Sequence, residues 1–271
     1  MSKQPFQQAI QESPINLAQA ALALAGAIAY PDLDTAHYLG KVNELAGLAA
    51  TAVSPHKSVL IQADSLADFL FREQGFQGNL PFYFDPRNSF LNEVLDRRRG
   101  IPITLSLLYV SIAERLGLPA FGVGMPGHFI VGLRVAGQDY YLDPFHEGKR
   151  LTMQDCAKLV RETTGYEFSE AWLAPTEPIA ILARMLNNLR NIYVQYQRWG
   201  EAASVIELLI LVEPNSPYHL RDLGFVHFQN GAPHMAAHYL DAYLQAQPNA
   251  PDADSIQHNV SQAIDKWARL N

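Results

Sequence analysis

The sequence predicts an α+β fold: a helical domain carrying a small antiparallel sheet, followed by an all-α region. Three observations lead there. Apolar residues recur at helical spacing over residues 15–80 and again from Leu105 to Leu116. The run from His128 to Val135 alternates with the two-residue period of a strand. Beyond about residue 180 the chain reads as helix and repeats itself after 34 residues.

The 271 residues suffice for one large domain or two ordinary ones, and 48% hydrophobic against 17% charged residues supplies a sizeable core. A net charge of −7 argues against binding a phosphate backbone, which needs a basic footprint, so no nucleic-acid partner is expected. The single cysteine, Cys156, rules out an internal disulfide and any multi-cysteine metal site, and suits a reducing compartment. Leu17 to Tyr30 is apolar, yet Glu12 and a single lysine precede it, and it is shorter than the ~20 residues of a membrane span. It reads as a buried alanine-rich helix stopped by Pro31, with no membrane association expected.

Taken in order, Leu17, Ala20, Ala21 and Leu24 mark the first helix, and Leu39, Val42, Leu45 and Leu48 line one face of a second over Thr35 to Ala52. Ser65 to Gln74 reads as a third, broken by the turn-permitting Gly75 to Asn79. A loop rich in aromatics, Pro81 to Asn88, leads to a short helix over Phe90 to Arg98. Pro102 suits a first helical position, Leu105, Leu108, Ile112 and Leu116 form an inward stripe, and Gly117 suits the C-terminal cap. Strands are predicted at Ala120–Val123, Phe129–Val135 and Tyr140–Leu142, then a helix over Leu151–Thr164.

Composition shifts near Ser169 to Pro178, and the domain boundary is placed there, dividing residues 1–172 from 173–271. In the second part Val212-Glu213-Pro214-Asn215 recurs as Ala246-Gln247-Pro248-Asn249. Leu189 matches Leu223 and Ala203 matches Ala237 at the same 34-residue offset. That period in helical sequence marks tetratricopeptide repeats, whose stacked helix pairs leave a concave face for a protein partner.

Several motifs invite chemistry. Gly122 to Gly127 matches G-x-G-x-x-G, but a nucleotide site needs a helix to follow and this run enters a strand. His234 and His238 have the spacing of a helical metal pair without a third ligand, and read as a solvated face. Arg97, Arg98 and Arg99 lie beside Glu93 and Asp96, which reads as a solvated ion-pair face. His128 and Asp143 are the polar residues placed for chemistry. If Ala136-Gly137 form a two-residue hairpin loop, Asp143 faces Ile130 and lies diagonally from His128 at ~7–8 Å between backbones. If Gly137-Gln138 form the loop, the two sit about 13 Å apart at ~3.3 Å per residue.

Pro86, Asn88, Ser89, Leu91 and Asn92, the run Arg98 to Ser106, Pro126 to Phe129 and Tyr141 to Phe145 together resemble the bacterial SirB-type family. That family joins a transglutaminase-like, papain-like domain to a tetratricopeptide tail, and the resemblance covers roughly residues 15–265. It implies that His128 and Asp143 adjoin as members of a Cys-His-Asp triad. The triad cysteine belongs near Pro102 to Thr104, and none is there; the SirB-type family is similar in lacking it. Thr104 and Ser106 are the nearby hydroxyls, and a hydroxyl is far harder to activate than a thiol. Cys156 lies beyond the sheet and does not match the motif.

These readings set the functional expectation. The chain is expected to be a non-catalytic scaffold or regulatory protein, a pseudoenzyme that binds a protein partner through its repeat tail, with no cofactor and no metal. The resemblance implies a cytoplasmic bacterial protein with a role in gene regulation. The alternative is a hydrolase or acyl transferase with Thr104 or Ser106, His128 and Asp143 replacing the usual triad. A third reading is metal or small-ligand binding around His128, Asp143 and His146. Oligomeric state is not legible.

Overall fold

The computed structural model describes residues 2–268. The chain opens with helices α1 (Gln4–Ala9), α2 (Leu17–Ile28), α3 (Thr35–Ala52) and α4 (Val59–Ala67). Side-chain oxygens of Asn16 and Asp34 accept the amides of Gln19 and His37, capping α2 and α3. α2 buries nine of its twelve residues, so it is a core helix and not an amphipathic surface one. In α3 the expected leucine stripe is wrong at one end: Leu48 is 47% exposed, and Val42, Ala46 and Ala49 face inward. Small side chains let α3 approach α2 and α6 closely, so alanines mark its inner face. α4 starts at Val59, ahead of the expected Ser65, and runs on as a π-turn over Asp68–Glu73.

Two short strands that periodicity cannot reveal come next. β1 (Gln77–Gly78) pairs in parallel with β2 (Arg99–Gly100), bracketing a 3-10 turn at Pro86–Ser89 and α5 (Leu91–Arg97). Asp85 caps that turn, accepting the Arg87 amide at 3.0 Å and the Arg87 guanidinium at 2.8 Å. Burial works to raise the Asp85 carboxyl, but the hydrogen bonds from Arg87 and the charges of Arg87 and Arg97 outweigh it and hold it below the usual range. A depressed folded pKa adds stability above the unfolded value of ~3.9 and loses it as pH falls through the folded value. Urea unfolding of wild type and Asp85→Asn should show a stability gap that is constant above about pH 5 and narrows below about pH 4. A gap unchanged down to about pH 3 would refute this.

α6 (Pro102–Arg115) is the buried central helix, opened by Pro102 and followed by Gly117 at φ +71. β3 (Ala120–Val123), β4 (Ile130–Val135), β5 (Gln138–Asp143) and β6 (Lys149–Leu151) form an antiparallel meander in that order. β6 has no sequence counterpart among the expected strands, being only three residues long. Val135 pairs with Gln138, so Ala136 and Gly137, at φ +51 and +80, make the two-residue loop. This is the first of the two registers considered. No helix follows Gly127: β3 turns directly into β4, which removes the dinucleotide reading of the glycines. α7 (Met153–Thr164) then covers one face of the sheet.

The remaining chain forms α8 (Pro178–Gln195), α9 (Trp199–Val212), α10 (Tyr218–Gln229), α11 (Pro233–Ala246) and α12 (Ala253–Ala268). Ala203 and Ala237 each lie four residues after the first residue of their helices, Trp199 and Pro233. Leu189 and Leu223 are both fully buried. The 34-residue offset is therefore structural. One continuous apolar core runs from Phe6 to Val226 and joins the two regions.

Candidate functional site: a histidine-aspartate-histidine cluster beside α6

His128 lies two residues ahead of β4, and its carbonyl accepts a hydrogen bond from Arg184 Nη2 of α8 at 2.7 Å. Asp143 ends β5. With Val131 opposite Leu142, continuing the register puts Asp143 beside Ile130 and diagonal to His128. The side chains meet: His128 Nε2 lies 2.8 Å from Asp143 Oδ2, with the histidine 6% and the aspartate 1% exposed. His128 Nδ1 makes no hydrogen bond among the described residues.

The second oxygen, Asp143 Oδ1, accepts the Phe145 amide at 3.0 Å and so holds the turn Pro144–His146. That turn carries His146 back, placing its Nδ1 2.7 Å from the same Oδ2. Burial alone would raise the Asp143 carboxyl, but hydrogen bonds and charge from both imidazoles prevail and hold it well below the usual carboxylate range. The hydrogen bond to Asp143 raises His146 in turn, against burial and the nearby Lys149 ammonium.

The hydroxyls tell a different story. Thr104 and Ser106 are fully buried. Thr104 Oγ1 accepts the Ile101 amide at 3.1 Å and donates to the Asn88 carbonyl at 2.8 Å, tying the start of α6 to the Pro86–Ser89 turn. Ser106 Oγ reaches only the Phe129 carbonyl, at 3.4 Å. A cavity of about 200 Å³ separates His128 from the first turn of α6, and its walls are Tyr83, Ile101, Pro102, Ile103, Gly127, Phe129, Arg184 and Asn188. No thiol and no aliphatic hydroxyl lines it. Cys156 sits in α7, buried in a separate apolar cluster, and burial pushes its thiol up to about 11, the reverse of an activated cysteine.

Two residues of this site lie outside the expected set of Thr104, Ser106, His128 and Asp143. His146 entered only the metal or small-ligand reading, beside His128 and Asp143. Arg184 was not legible, because it arrives from α8, 56 residues away in sequence. Burial draws its guanidinium down from its usual range. His234 and His238 are exposed on α11 and gain no third ligand among the described residues.

Comparison with known proteins agrees with this architecture. A model of the transglutaminase-like superfamily matches residues 36–187, and a tetratricopeptide-repeat model matches residues 189–260. A UPF0162 protein of Xylella fastidiosa is 34% identical over 236 residues, 85% of this chain and 84% of that one. A UPF0162 protein of Vibrio cholerae is 29% identical over 255 residues, 91% of this chain and 92% of that one. The likeness extends to F-box only protein 21 of Homo sapiens, 34% identical over 137 residues, which is 48% of this chain and 21% of that protein. Among the described residues no helix is long and apolar enough to cross a membrane. A central helix, a histidine just ahead of one strand, an aspartate closing the next and a repeat tail in register go with these matches, and the chain belongs to the transglutaminase-like superfamily, as a UPF0162 protein with tetratricopeptide repeats.

Proposed function

We propose that this chain is a protein-interaction protein whose transglutaminase-like domain runs no nucleophilic chemistry, and whose repeat region binds the partner. The carrying observation is the cavity between His128 and α6: its α6 wall is Ile101, Pro102 and Ile103, none of which can attack a carbonyl. A hydroxyl replacement for the missing thiol would need Thr104 or Ser106 within ~2.6–3.2 Å of an imidazole nitrogen. Thr104 instead holds two backbone groups. In this reading His128 and Asp143 are the retained part of a triad, and they orient β4, β5 and the turn after Asp143.

The partner surface is the groove of about 430 Å³ between α8 and α10. Exposed Val194 and Phe225 offer apolar contact there, beside the Asn191 and Gln229 amides and the Arg190–Asp222 ion pair at 3.1 Å. That mixture suits a peptide segment, whose backbone needs amide partners and whose side chains need apolar ones. We divide the two units at 172/173. We retain the SirB-type assignment and a cytoplasmic, regulatory setting as parts of the same reading, motivated by the sequence motifs.

The test has two arms on the full chain. A fluorophosphonate probe should label neither Thr104 nor Ser106. In-cell crosslinking should capture a specific protein that is retained by His128→Ala and lost by Val194→Glu/Phe225→Glu. Labelling that disappears in Thr104→Ala or Ser106→Ala would overturn the non-catalytic reading. Capture unaffected by the groove variant would overturn the choice of surface.

A further inference from the structure

We propose that His128, Asp143 and His146 form a binding site for a divalent transition-metal ion of the zinc class, held through His128 Nε2, Asp143 Oδ2 and His146 Nδ1. These three donor atoms lie within 4.8 Å of one another, the one such cluster among the described residues. A histidine-aspartate dyad needs a single imidazole, because the carboxylate orients one base. Here one carboxylate oxygen faces two imidazoles, from the segment leading into β4 and from the turn after β5, at 2.8 and 2.7 Å. The other oxygen holds the turn through the Phe145 amide, so Oδ2 is fixed at the point of convergence.

Two imidazole nitrogens and one carboxylate oxygen make a donor set suited to zinc, cobalt or nickel rather than to calcium or magnesium, which take oxygen. Tetrahedral ligation at ~2.0–2.1 Å would set neighbouring donors about 3.3 Å apart, so each ring nitrogen withdraws from Oδ2 by about half an ångström while the two nitrogens, within 4.8 Å of each other, come to the same spacing. His146 can do so, since its side chain is 54% exposed. On binding, two N–H···O bonds give way to two N–metal bonds and one O–metal bond. Each ring proton relocates to the far nitrogen, His128 Nδ1 or His146 Nε2, or leaves to solvent.

An entry route exists. Asp143 and His146 line a cavity of about 210 Å³ that Leu151 and Asp155 also border. Lys149 and Lys158 line it too, and the carboxylates of Asp155 and Glu162 on the same lining offset their charge. With three protein donors the ion keeps a coordination position for solvent or a ligand.

The experiment is calorimetric titration of the untagged full chain with Zn2+ alone, with Co2+ absorbance as a second readout. One equivalent should bind with a Kd of about 10 µM or tighter. His146→Ala, at a half-exposed position, should keep its far-UV spectrum and melting transition while binding at least about tenfold more weakly. His146→Asn serves if alanine perturbs the fold. His234→Ala/His238→Ala, which removes the exposed α11 pair, should leave affinity unchanged. Binding weaker than about 10 µM by the wild type, wild-type affinity in the His146 variants, or loss of binding in the α11 variant overturns the proposal.

Discussion

Asn88→Ala is expected to lower the unfolding free energy by about 2 kcal/mol, read as a fall in urea midpoint at unchanged m-value. Asn88 is fully buried and serves three elements at once. Its Nδ2 donates to the Phe82 carbonyl at 2.7 Å, and its Oδ1 accepts from Asn79 Nδ2 at 2.9 Å. Its own carbonyl accepts the Thr104 hydroxyl. Alanine keeps that last contact but strands the Asn79 amide, itself 5% exposed, whereas the Phe82 carbonyl keeps the Asp85 amide as donor. One stranded buried amide costs roughly 1–3 kcal/mol. Because the loop from Phe82 to Asn88 carries Tyr83 into the wall beside His128, the same variant should loosen that cavity. A loss below about 1 kcal/mol would mean that water reaches the freed amide and that the network is not a structural hub.

The contrast between Asn88 and the sheet shows which features were legible. The alternation of Phe129, Val131, Leu133 and Val135 and the Ala136-Gly137 loop fix the β4–β5 register, so the approach of His128 to Asp143 follows from local pattern. The repeat is legible because Ala203 and Ala237 meet the same packing demand in successive helix pairs. Periodicity could not find β1, β2 and β6, since two or three residues contain less than one alternation. It misplaced the inner face of α3 because close helix packing selects alanine, while a propensity reading looks for leucine. Thr104 was legible as a residue of the first helical turn, but not its bond to Asn88, which depends on a loop of no regular pattern. Arg184 belongs to the same class: a side chain delivered from a helix 56 residues away leaves no trace in the local periodicity around His128.

Asp143→Ala should cost about 2–4 kcal/mol, measured by urea unfolding with EDTA present so that bound ions contribute nothing. The loss falls unequally on the three groups Asp143 holds. His146, half exposed, regains water, so its share is small. The Phe145 amide loses its acceptor, and the turn Pro144–His146 loosens. The larger share comes from His128, 6% exposed, whose Nε2 is left facing a void where the carboxylate was. His128→Ala should cost less, about 2 kcal/mol, because Asp143 keeps His146 and the Phe145 amide as donors. His146→Ala should cost under about 1 kcal/mol. The double variant His128→Ala/Asp143→Ala closes the cycle: if the pair holds β4 to the turn after β5, its coupling energy should exceed about 1 kcal/mol. A coupling near zero would mean that backbone pairing alone sets this geometry, and that the short contact between the two side chains follows from the sheet without stabilising it.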